Sequence, residues 1–224
     1  LINKLNSKGY QLWPTSILKL LNVKYLVMPY DNFEHTDFEK INSSSMYYFG
    51  TDKRYDGKKI ESYIYKYKEY YPRLFYVKNI KNINENEVYE IITDESFDPI
   101  RNSYIAENET ILFNYDEQSK VELISWSSDE IKFRTDTNSE QFLVISEIYY
   151  PDGWKVSDGS ENYKIYNVNG VLRGILVPEG VHTFTMYFSP LDVKIGKYIS
   201  LFTFLCLIII FMYYLSKENK NKNV

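Results

Sequence analysis

Apolar and polar positions alternate through much of the second half of the chain, from about residue 120 onward. Runs such as KVELISW, IKFRT and QFLVISEIYY are separated by turn-forming groups such as SSDE and DTNSE. Val121 and Leu123 alternate with polar residues, as do Ile131 and Phe133, which is the pattern of a half-buried strand. The run FLVIS is apolar on both faces and predicts a central strand. About seven short strands with frequent turns predict an antiparallel β-sandwich of jelly-roll or immunoglobulin-like size.

The first half of the chain has a mixed pattern that predicts a small α+β region. The segment PTSILKLLNVKYLVMP begins with a helical pattern, for which Thr15 or Ser16 is the expected N-cap. A strand from Val23 to Met28 follows, and Pro29 is expected to end it because proline cannot donate to a strand ladder.

Two further elements are predicted before residue 100. The segment ESYIYKYKEYYPRLFYVKNI alternates over two strands that are separated at Pro72. The segment NENEVYEIITDES predicts a helix with Asn84 as its N-cap. Val88, Ile91 and Ile92 would then lie on one apolar face of this helix.

An uncharged apolar run, YISLFTFLCLIIIFMYYLS, lies between Lys197 and Lys217. At about 1.5 Å per residue in a helix it reaches roughly 28 Å, enough to cross the hydrocarbon core of a bilayer. We therefore predict a transmembrane helix over residues 197–216, with Tyr198 and Leu215 near its ends. Its tyrosines would suit the aromatic belts at the two membrane interfaces.

The charges that flank this run predict its orientation. The tail SKENKNKNV carries three lysines and one glutamate, whereas the other flank carries Lys194, Lys197 and Asp192. The excess of lysine favours a cytoplasmic tail, residues 217–224, and places residues 1–193 outside the cytoplasm.

Composition and the first residue of the chain bear on the class of protein and on how the chain is divided. The chain has 224 residues, 44% hydrophobic residues and a net charge of -4, so it can build a core and gives no reason to expect a nucleic-acid partner. It begins with Leu1 rather than Met, which indicates a piece of a longer polypeptide. We predict four segments, namely a mixed α+β region over 1–118, an antiparallel β-sandwich region packed with it over 119–193, the transmembrane helix over 197–216 and the tail over 217–224.

Cysteine and histidine give no basis for a metal or cofactor site. Cys206 is the single cysteine, lies in the apolar run and is read as a small buried hydrophobe. His35 and His182 have no second histidine or cysteine at a ligand spacing. We predict no cofactor and no metal in this chain.

The segment YYPDGWKV has two interpretations. Pro151-Asp152-Gly153 supplies turn residues, with glycine allowing a positive φ, and Trp154 would then start a strand with its ring in the core. Alternatively, Tyr150 and Trp154 form an aromatic platform for a sugar ring.

Two charged residues in apolar strands also have either a structural role or a binding role. Glu147 lies between Ile145 and Tyr149, and a salt bridge to Arg173 would explain its position. Arg173 itself, between Leu172 and Gly174, must reach solvent or a partner, which is either a structural ion pair or a contact with glycan or phosphate.

Several motifs occur in an order that resembles the C-terminal part of the YfhO family of bacterial multi-pass membrane proteins. These motifs are LLNVKYLVMP, YPRLFYV, FDP, FLVISEIYYPDGWKV and YNVNGVLRGILVPEGVHTFTMYFSP, followed by the last apolar helix. The resemblance covers nearly the whole chain and is densest from Phe142 to Pro190. Asp152, inserted before Gly153, and VSDG in place of VDG depart from the family pattern and would lengthen or bulge two turns.

The resemblance implies a plasma-membrane protein similar to GT-C glycosyltransferases, which use a polyprenyl-phosphate-linked sugar outside the cytoplasm. Catalytic carboxylates of such enzymes lie in loops between early transmembrane helices, so no catalytic residue is carried over to this chain. The implied partners are the lipid bilayer, the N-terminal transmembrane bundle of the same polypeptide and cell-envelope glycan. The alternative is a noncatalytic, membrane-anchored module that binds glycan or a protein partner.

Overall fold

The computed structural model describes residues 14–28, 31, 36–47, 57–106 and 110–222. Leu1, the expected strand end at Pro29 and the histidine His35 lie outside the described residues. The chain forms two compact units, and each unit is built from three segments that are separated in the sequence. The first unit comprises residues 1–122, 134–149 and 165–182, and the second comprises residues 123–133, 150–164 and 183–224.

The first unit contains a short helix and a three-stranded antiparallel sheet at its N-terminal side. Helix α1 spans Thr15–Leu20, and the strands are β1 (Tyr25–Met28), β2 (Phe38–Tyr47) and β3 (Lys59–Tyr67). The strand order is β1-β3-β2. The predicted helix and strand are thus confirmed, and the strand starts two residues later than expected.

The expected cap of α1 at Thr15 or Ser16 is wrong, because both residues lie in the first turn and Pro14 occupies the N-cap position. Their hydroxyl groups have other partners. Thr15 donates to the carboxylate of Glu95, and Ser16 donates to the carbonyl of Ile92 at 2.9 Å. These hydroxyls therefore tie α1 to a second helix instead of capping their own.

A six-stranded sheet forms the centre of the first unit. Its order is β4-β9-β13-β12-β6-β5, and only β5 and β6 pair in parallel among the pairings described. The strands are β4 (Leu74–Tyr76), β5 (Ile80–Asn82), β6 (Ser103–Ile105), β9 (Gln141–Ile148), β12 (Tyr166–Val168) and β13 (Leu172–Val177). Because strands from both sides of residue 118 enter this sheet, the two predicted extramembrane regions share one sheet.

Strand β9 is central in this sheet, and its residues 141–146 are all buried, as the run FLVIS predicts. Helix α2 (Glu85–Ile92) connects the parallel strands β5 and β6, which a short turn cannot join. The Asn84 side chain caps α2 by accepting from the N–H of Asn86 at 3.1 Å, as predicted. Val88 and Ile92 of α2 are buried in the core of the sheet and Ile91 packs against that core, which confirms the predicted face.

The second unit holds residues 123–133, 150–164 and 183–188 of a five-stranded sheet in the order β11-β10-β14-β8-β7. The strands are β7 (Lys120–Trp126), β8 (Glu130–Thr137), β10 (Trp154–Ser157), β11 (Asn162–Tyr163) and β14 (Gly180–Phe188). The predicted strand YKIYNVN is divided between β11 and β12, which belong to different sheets. In β8, Ile131 and Phe133 are buried and alternate with less buried residues, as their spacing predicts.

Helix α3 spans Leu191–Lys222 and ends the described chain. It begins before the predicted start at residue 197 and continues beyond Leu215 into the predicted tail. Its segment Leu191–Tyr213 is apolar and long enough to cross a membrane, and none of that window is buried within the protein. Together with the sheets, α3 confirms the predicted class: mainly β, with a small N-terminal helix-and-strand region and one C-terminal apolar helix. The five- and six-stranded sheets have the sizes that the sandwich prediction requires.

Candidate functional site

Three strand ends of the second unit come together at one end of the five-stranded sheet. Strand β7 ends at Trp126, β10 begins at Trp154 and β14 ends at Phe188. The N–H of Phe188 donates to the carbonyl of Asp129, in the turn between β7 and β8, at 2.8 Å. We call the side chains of Trp126, Tyr150, Trp154 and Phe188 the aromatic end.

Phe188 lies between two of the other rings of the aromatic end. Its ring centroid lies 5.4 Å from that of Trp154 and 6.1 Å from that of Tyr150, and both ring pairs are tilted. Trp154 and Phe188 are directly opposite each other in the antiparallel pairing of β10 and β14, so their side chains share one sheet face. Two of the predicted site residues, Tyr150 and Trp154, are therefore brought together through a third aromatic residue that the sequence analysis did not name.

Gly153 has a different role from the one expected. Its φ is not positive, so turn geometry does not require glycine here. Instead, a Cβ atom at this position would lie 2.1 Å from the ring of Phe188. Glycine is needed because the Phe188 ring lies over the backbone of the turn.

The aromatic end is only partly buried. Tyr150 is 54% exposed, Trp126 is 52% exposed and Phe188 is 39% exposed, while Trp154 is half-buried. The Trp154 ring thus packs on Phe188 at the margin of the sheet, with part of its surface open to solvent. The choice between a structural and a binding role for Trp154 stays a prediction.

Arg173, the third predicted candidate, belongs to the first unit and lies on β13. It is only 4% exposed, and its Nε donates to the carbonyl of Ile148 at 3.0 Å. Burial lowers the pKa of Arg173 to about 10, because desolvation disfavours the charged guanidinium. This burial argues against a direct contact between Arg173 and a glycan.

Glu147 has a partner that the sequence analysis did not foresee. Its carboxylate forms a salt bridge with the guanidinium of Arg73, which directly precedes β4. Because β4 is hydrogen-bonded to β9, this ion pair connects neighbouring strands of the six-stranded sheet. Arg73 thus has the role that the sequence analysis gave to Arg173.

A polar cleft of about 930 Å³ lies elsewhere in the first unit. It is formed by helix α2, the loop that follows it and the strands β5 and β6. Its lining includes acidic, basic, amide and aromatic side chains: Asn79, Lys81, Glu90, Ile91, Asp94, Ser96, Phe97, Asp98, Arg101, Asn102 and Tyr104.

Two aspartates give the loop of this polar cleft its shape. The Asp94 carboxylate accepts hydrogen bonds from the hydroxyl and the N–H of Ser96, and these bonds lower the pKa of Asp94. The Asp98 carboxylate accepts from the N–H of Ile100 at 2.9 Å and from the hydroxyl of Tyr71 at 3.1 Å. The lowered pKa keeps the Asp94 carboxylate charged at neutral pH. Both aspartates order the loop through these hydrogen bonds, and both residues remain exposed.

The basic groups and the amide of the polar cleft differ in their contacts. Lys81 and Arg101 are exposed, and no hydrogen bond or ion pair involving either side chain is described. The Asn79 side chain donates to the backbone carbonyl of Arg101 at 3.0 Å, which fixes the position of the amide. Tyr104 is half-buried, and Phe97 packs into the core 6.2 Å from the Tyr104 ring.

This polar cleft was not predicted from the sequence. FDP, residues 97–99, contributed only to the family resemblance, and TDES, residues 93–96, was included in the segment predicted as a helix. The segment after the capped helix is rich in Asp, Ser and Asn, and this composition could have indicated a polar loop with a binding role. Among the described residues, no group of three or more His, Cys, Asp and Glu is placed to hold a metal ion.

Comparison with known proteins supports the resemblance found in the motifs. The family model described as bacterial membrane protein YfhO matches residues 110–200, which include the aromatic end and the start of α3. No curated protein and no solved structure matches the chain. The family and the apolar helix α3 both support a membrane location. Residues 110–200 of this chain are therefore similar to the YfhO family of bacterial membrane proteins.

Proposed function

We propose that this chain is the extracytoplasmic region and last transmembrane helix of a bacterial plasma-membrane protein that transfers sugars from a polyprenyl-phosphate donor to cell-envelope glycopolymers. Within that protein, the chain binds the acceptor glycan in the polar cleft. The observation that carries the proposal is this cleft, because charged, amide and tyrosine side chains converge there in a membrane-anchored β-domain.

The chemistry of the polar cleft suits a sugar polymer. Sugar hydroxyls both donate and accept hydrogen bonds, so they need acceptors and donors side by side. Asp94 and Glu90 supply acceptors, while Arg101 supplies donors in a planar fork. A cleft of several hundred Å³ with a few placed polar groups is the usual form of a ligand site.

Catalysis is assigned to another part of the parent protein, and no residue of this chain is given a catalytic role. We expect that the purified chain alone transfers no sugar from a polyprenyl-phosphate-linked donor. Turnover of such a donor by the purified chain, measured with a radiolabelled sugar, would contradict this division of labour.

The extracytoplasmic location is supported by the lysines of the tail and is tested by labelling. Ser160 lies in an exposed turn of the second unit. A Ser160→Cys chain in intact cells should react with a membrane-impermeant thiol reagent. Reaction only after lysis would reverse the proposed orientation, and the parent chain with Cys206 alone controls for background labelling.

Glycan binding is tested on the full chain in lipid nanodiscs by isothermal titration calorimetry. The probes are a glycerol-phosphate oligomer and an N-acetylhexosamine oligosaccharide. We expect the double variant Lys81→Ala/Arg101→Ala to weaken binding at least about tenfold, which corresponds to about 1.4 kcal/mol. Arg134→Ala is the control, because it removes another exposed arginine that does not line the cleft.

The same titration separates the proposal from its alternative. Binding of either probe that is lost in the double variant and kept in Arg134→Ala supports glycan recognition in the polar cleft. Absence of binding to both probes would contradict it and leave the noncatalytic protein-binding module as the better description.

A further inference from the structure

The aromatic end is joined to the membrane helix by a very short connection. Strand β14 ends at Phe188 and α3 begins at Leu191, so their Cα atoms are at most about 11 Å apart along the chain. The N–H of Ser189 donates to the carbonyl of Gly153 at 2.7 Å. Pro190 is buried. The connection is therefore held against the turn of the aromatic end.

The first two turns of α3 have the composition of a membrane interface. Residues 191–197 alternate exposed apolar side chains with one aspartate and two lysines, and Tyr198 follows. If Tyr198 marks the edge of the hydrocarbon, these residues rise about 10 Å above it. The headgroup layer is about 5–7 Å thick on each side of a bilayer. The aromatic end thus lies near the outer margin of that layer, within reach of large side chains.

We propose that the aromatic end rests on the lipid headgroup layer of the bilayer that α3 crosses. Tryptophan and tyrosine concentrate at this depth because their rings are apolar while their N–H and O–H groups still find polar partners. The inference is independent of glycan binding in the polar cleft, because it concerns other residues and the other unit.

The occupant is argued from continuity with the membrane helix. Within the second unit, the exposed rings of Trp126, Tyr150 and Phe188 lie at the end of the sheet from which α3 leaves. A platform for sugar or a surface for a protein partner could lie on any face of the sheet and would not need to be beside α3. Exposed aromatic rings beside the start of a membrane helix have a ready apolar environment in the interface.

The charges beside the aromatic end predict which lipids it contacts. Asp129 and Asp152 are exposed in the two turns at this end. Together with Asp192 they offset the exposed Lys194 and Lys197 at the start of α3, so contact must come from partition of the rings rather than from net charge attraction. We therefore expect contact with phosphatidylcholine that does not increase when phosphatidylglycerol is added.

Tryptophan fluorescence in nanodiscs tests the contact directly. The chain has three tryptophans, Trp13, Trp126 and Trp154, so replacing two of them with phenylalanine leaves one reporter. The quencher is phosphatidylcholine with a nitroxide on its headgroup. Two reference chains lack all three tryptophans: Tyr198→Trp reports from the membrane helix, and Thr183→Trp reports from β14, about 17 Å from Phe188 along the strand.

We expect headgroup nitroxide to quench Trp154 to nearly the level of the Tyr198→Trp reference, and at least about twofold more than the Thr183→Trp reference. Trp126 should follow Trp154, and it decides the result if the Trp154 reporter chain does not fold. Quenching at the level of the Thr183→Trp reference would overturn the proposal. Protection of Trp154 from iodide by the glycerol-phosphate oligomer, without quenching by lipid, would overturn it in favour of a sugar platform.

Discussion

Strand β14 carries two phenylalanines on one face, and their surroundings differ. Phe184 is fully buried, whereas Phe188, four residues later, is 39% exposed. Both rings contact other aromatic rings: Phe184 stacks on Phe133 at 5.3 Å and meets the edge of Tyr163 at 5.1 Å, while Phe188 contacts Trp154 and Tyr150. Since both take part in aromatic clusters, the difference in burial follows from their positions along the strand.

The comparison shows how one sheet face can serve two purposes. The middle of the face in the second unit is closed to water, and burial of large rings there stabilises the fold. The end of the same face keeps part of its aromatic surface exposed, at the place where the chain enters α3. A substitution in the first cluster should therefore act on stability, and one in the second should act more on contact with the surroundings.

The largest expected effect is that of Phe184→Ala. Removal of a fully buried ring leaves a cavity that the neighbouring Phe133 and Tyr163 cannot fill, so we expect a loss of about 3–5 kcal/mol in the free energy of unfolding. Urea unfolding of the full chain in detergent micelles, followed by circular dichroism of the strands, measures it. A loss below about 1 kcal/mol would remove the distinction between the two phenylalanines.

The next effect is that of Gly153→Ala. The new methyl group would meet the Phe188 ring, so we expect a loss of about 1–3 kcal/mol by overpacking. Gly196→Ala, in α3, is the control because a Cβ there meets nothing within 4 Å. The double variant Gly153→Ala/Phe188→Ala should recover most of the loss from the glycine substitution, since the clashing ring is gone. Additive losses would contradict the role given to Gly153.

Trp154→Ala should cost less than Phe184→Ala. The tryptophan is half-buried, so we expect a loss of about 1–2 kcal/mol rather than the 3–5 kcal/mol of a buried aromatic residue. The same urea titration checks this value. A loss as large as that of Phe184→Ala would mean that Trp154 is a core residue, like the buried cluster around Phe184, and not part of the partly exposed cluster around Phe188.

The smallest effect on stability is expected for Trp126→Ala. Its side chain is 52% exposed at the end of an edge strand, so the free energy of unfolding should change by no more than about 0.5 kcal/mol. In nanodiscs the double variant Trp13→Phe/Trp126→Ala should have lower lipid contact than Trp13→Phe/Trp126→Phe, measured as weaker headgroup quenching of Trp154, the one remaining tryptophan. A large loss of stability together with unchanged quenching would assign Trp126 to the core.

Local patterns predicted the elements whose signals lie within a few residues. The Asn84 cap and the apolar face of α2 were foreseen, because capping and the 3.6-residue period are local properties. The buried strand β9 was foreseen because an apolar run on both faces suits only a covered strand. The predicted cap of α1 was wrong, since the hydroxyls of Thr15 and Ser16 donate to residues about 80 positions away.

The candidate sites depended on contacts that no local pattern contains. Tyr150 and Trp154 were singled out by residue type, but Phe188, which joins them, is 34 residues from Trp154 and is placed by the pairing of β10 with β14. Likewise, the polar cleft brings Asn79 next to residues that follow α2 in the sequence, such as Arg101. They are neighbours because β5 and β6, the strands before and after α2, pair in parallel.

The sequence alone therefore determined the class of the fold, the membrane helix and the resemblance to the YfhO family, because strand alternation, apolar length and motif order are all written along the chain. Only the tertiary structure decided that Glu147 pairs with Arg73 and that Arg173 is buried. It also decided that the Phe188 ring occupies the space that a side chain at Gly153 would need. Strand pairing between distant segments determines which side chains become neighbours, and a periodic pattern does not state its pairing partner. For that reason the aromatic end and the polar cleft are visible only once the sheets are formed.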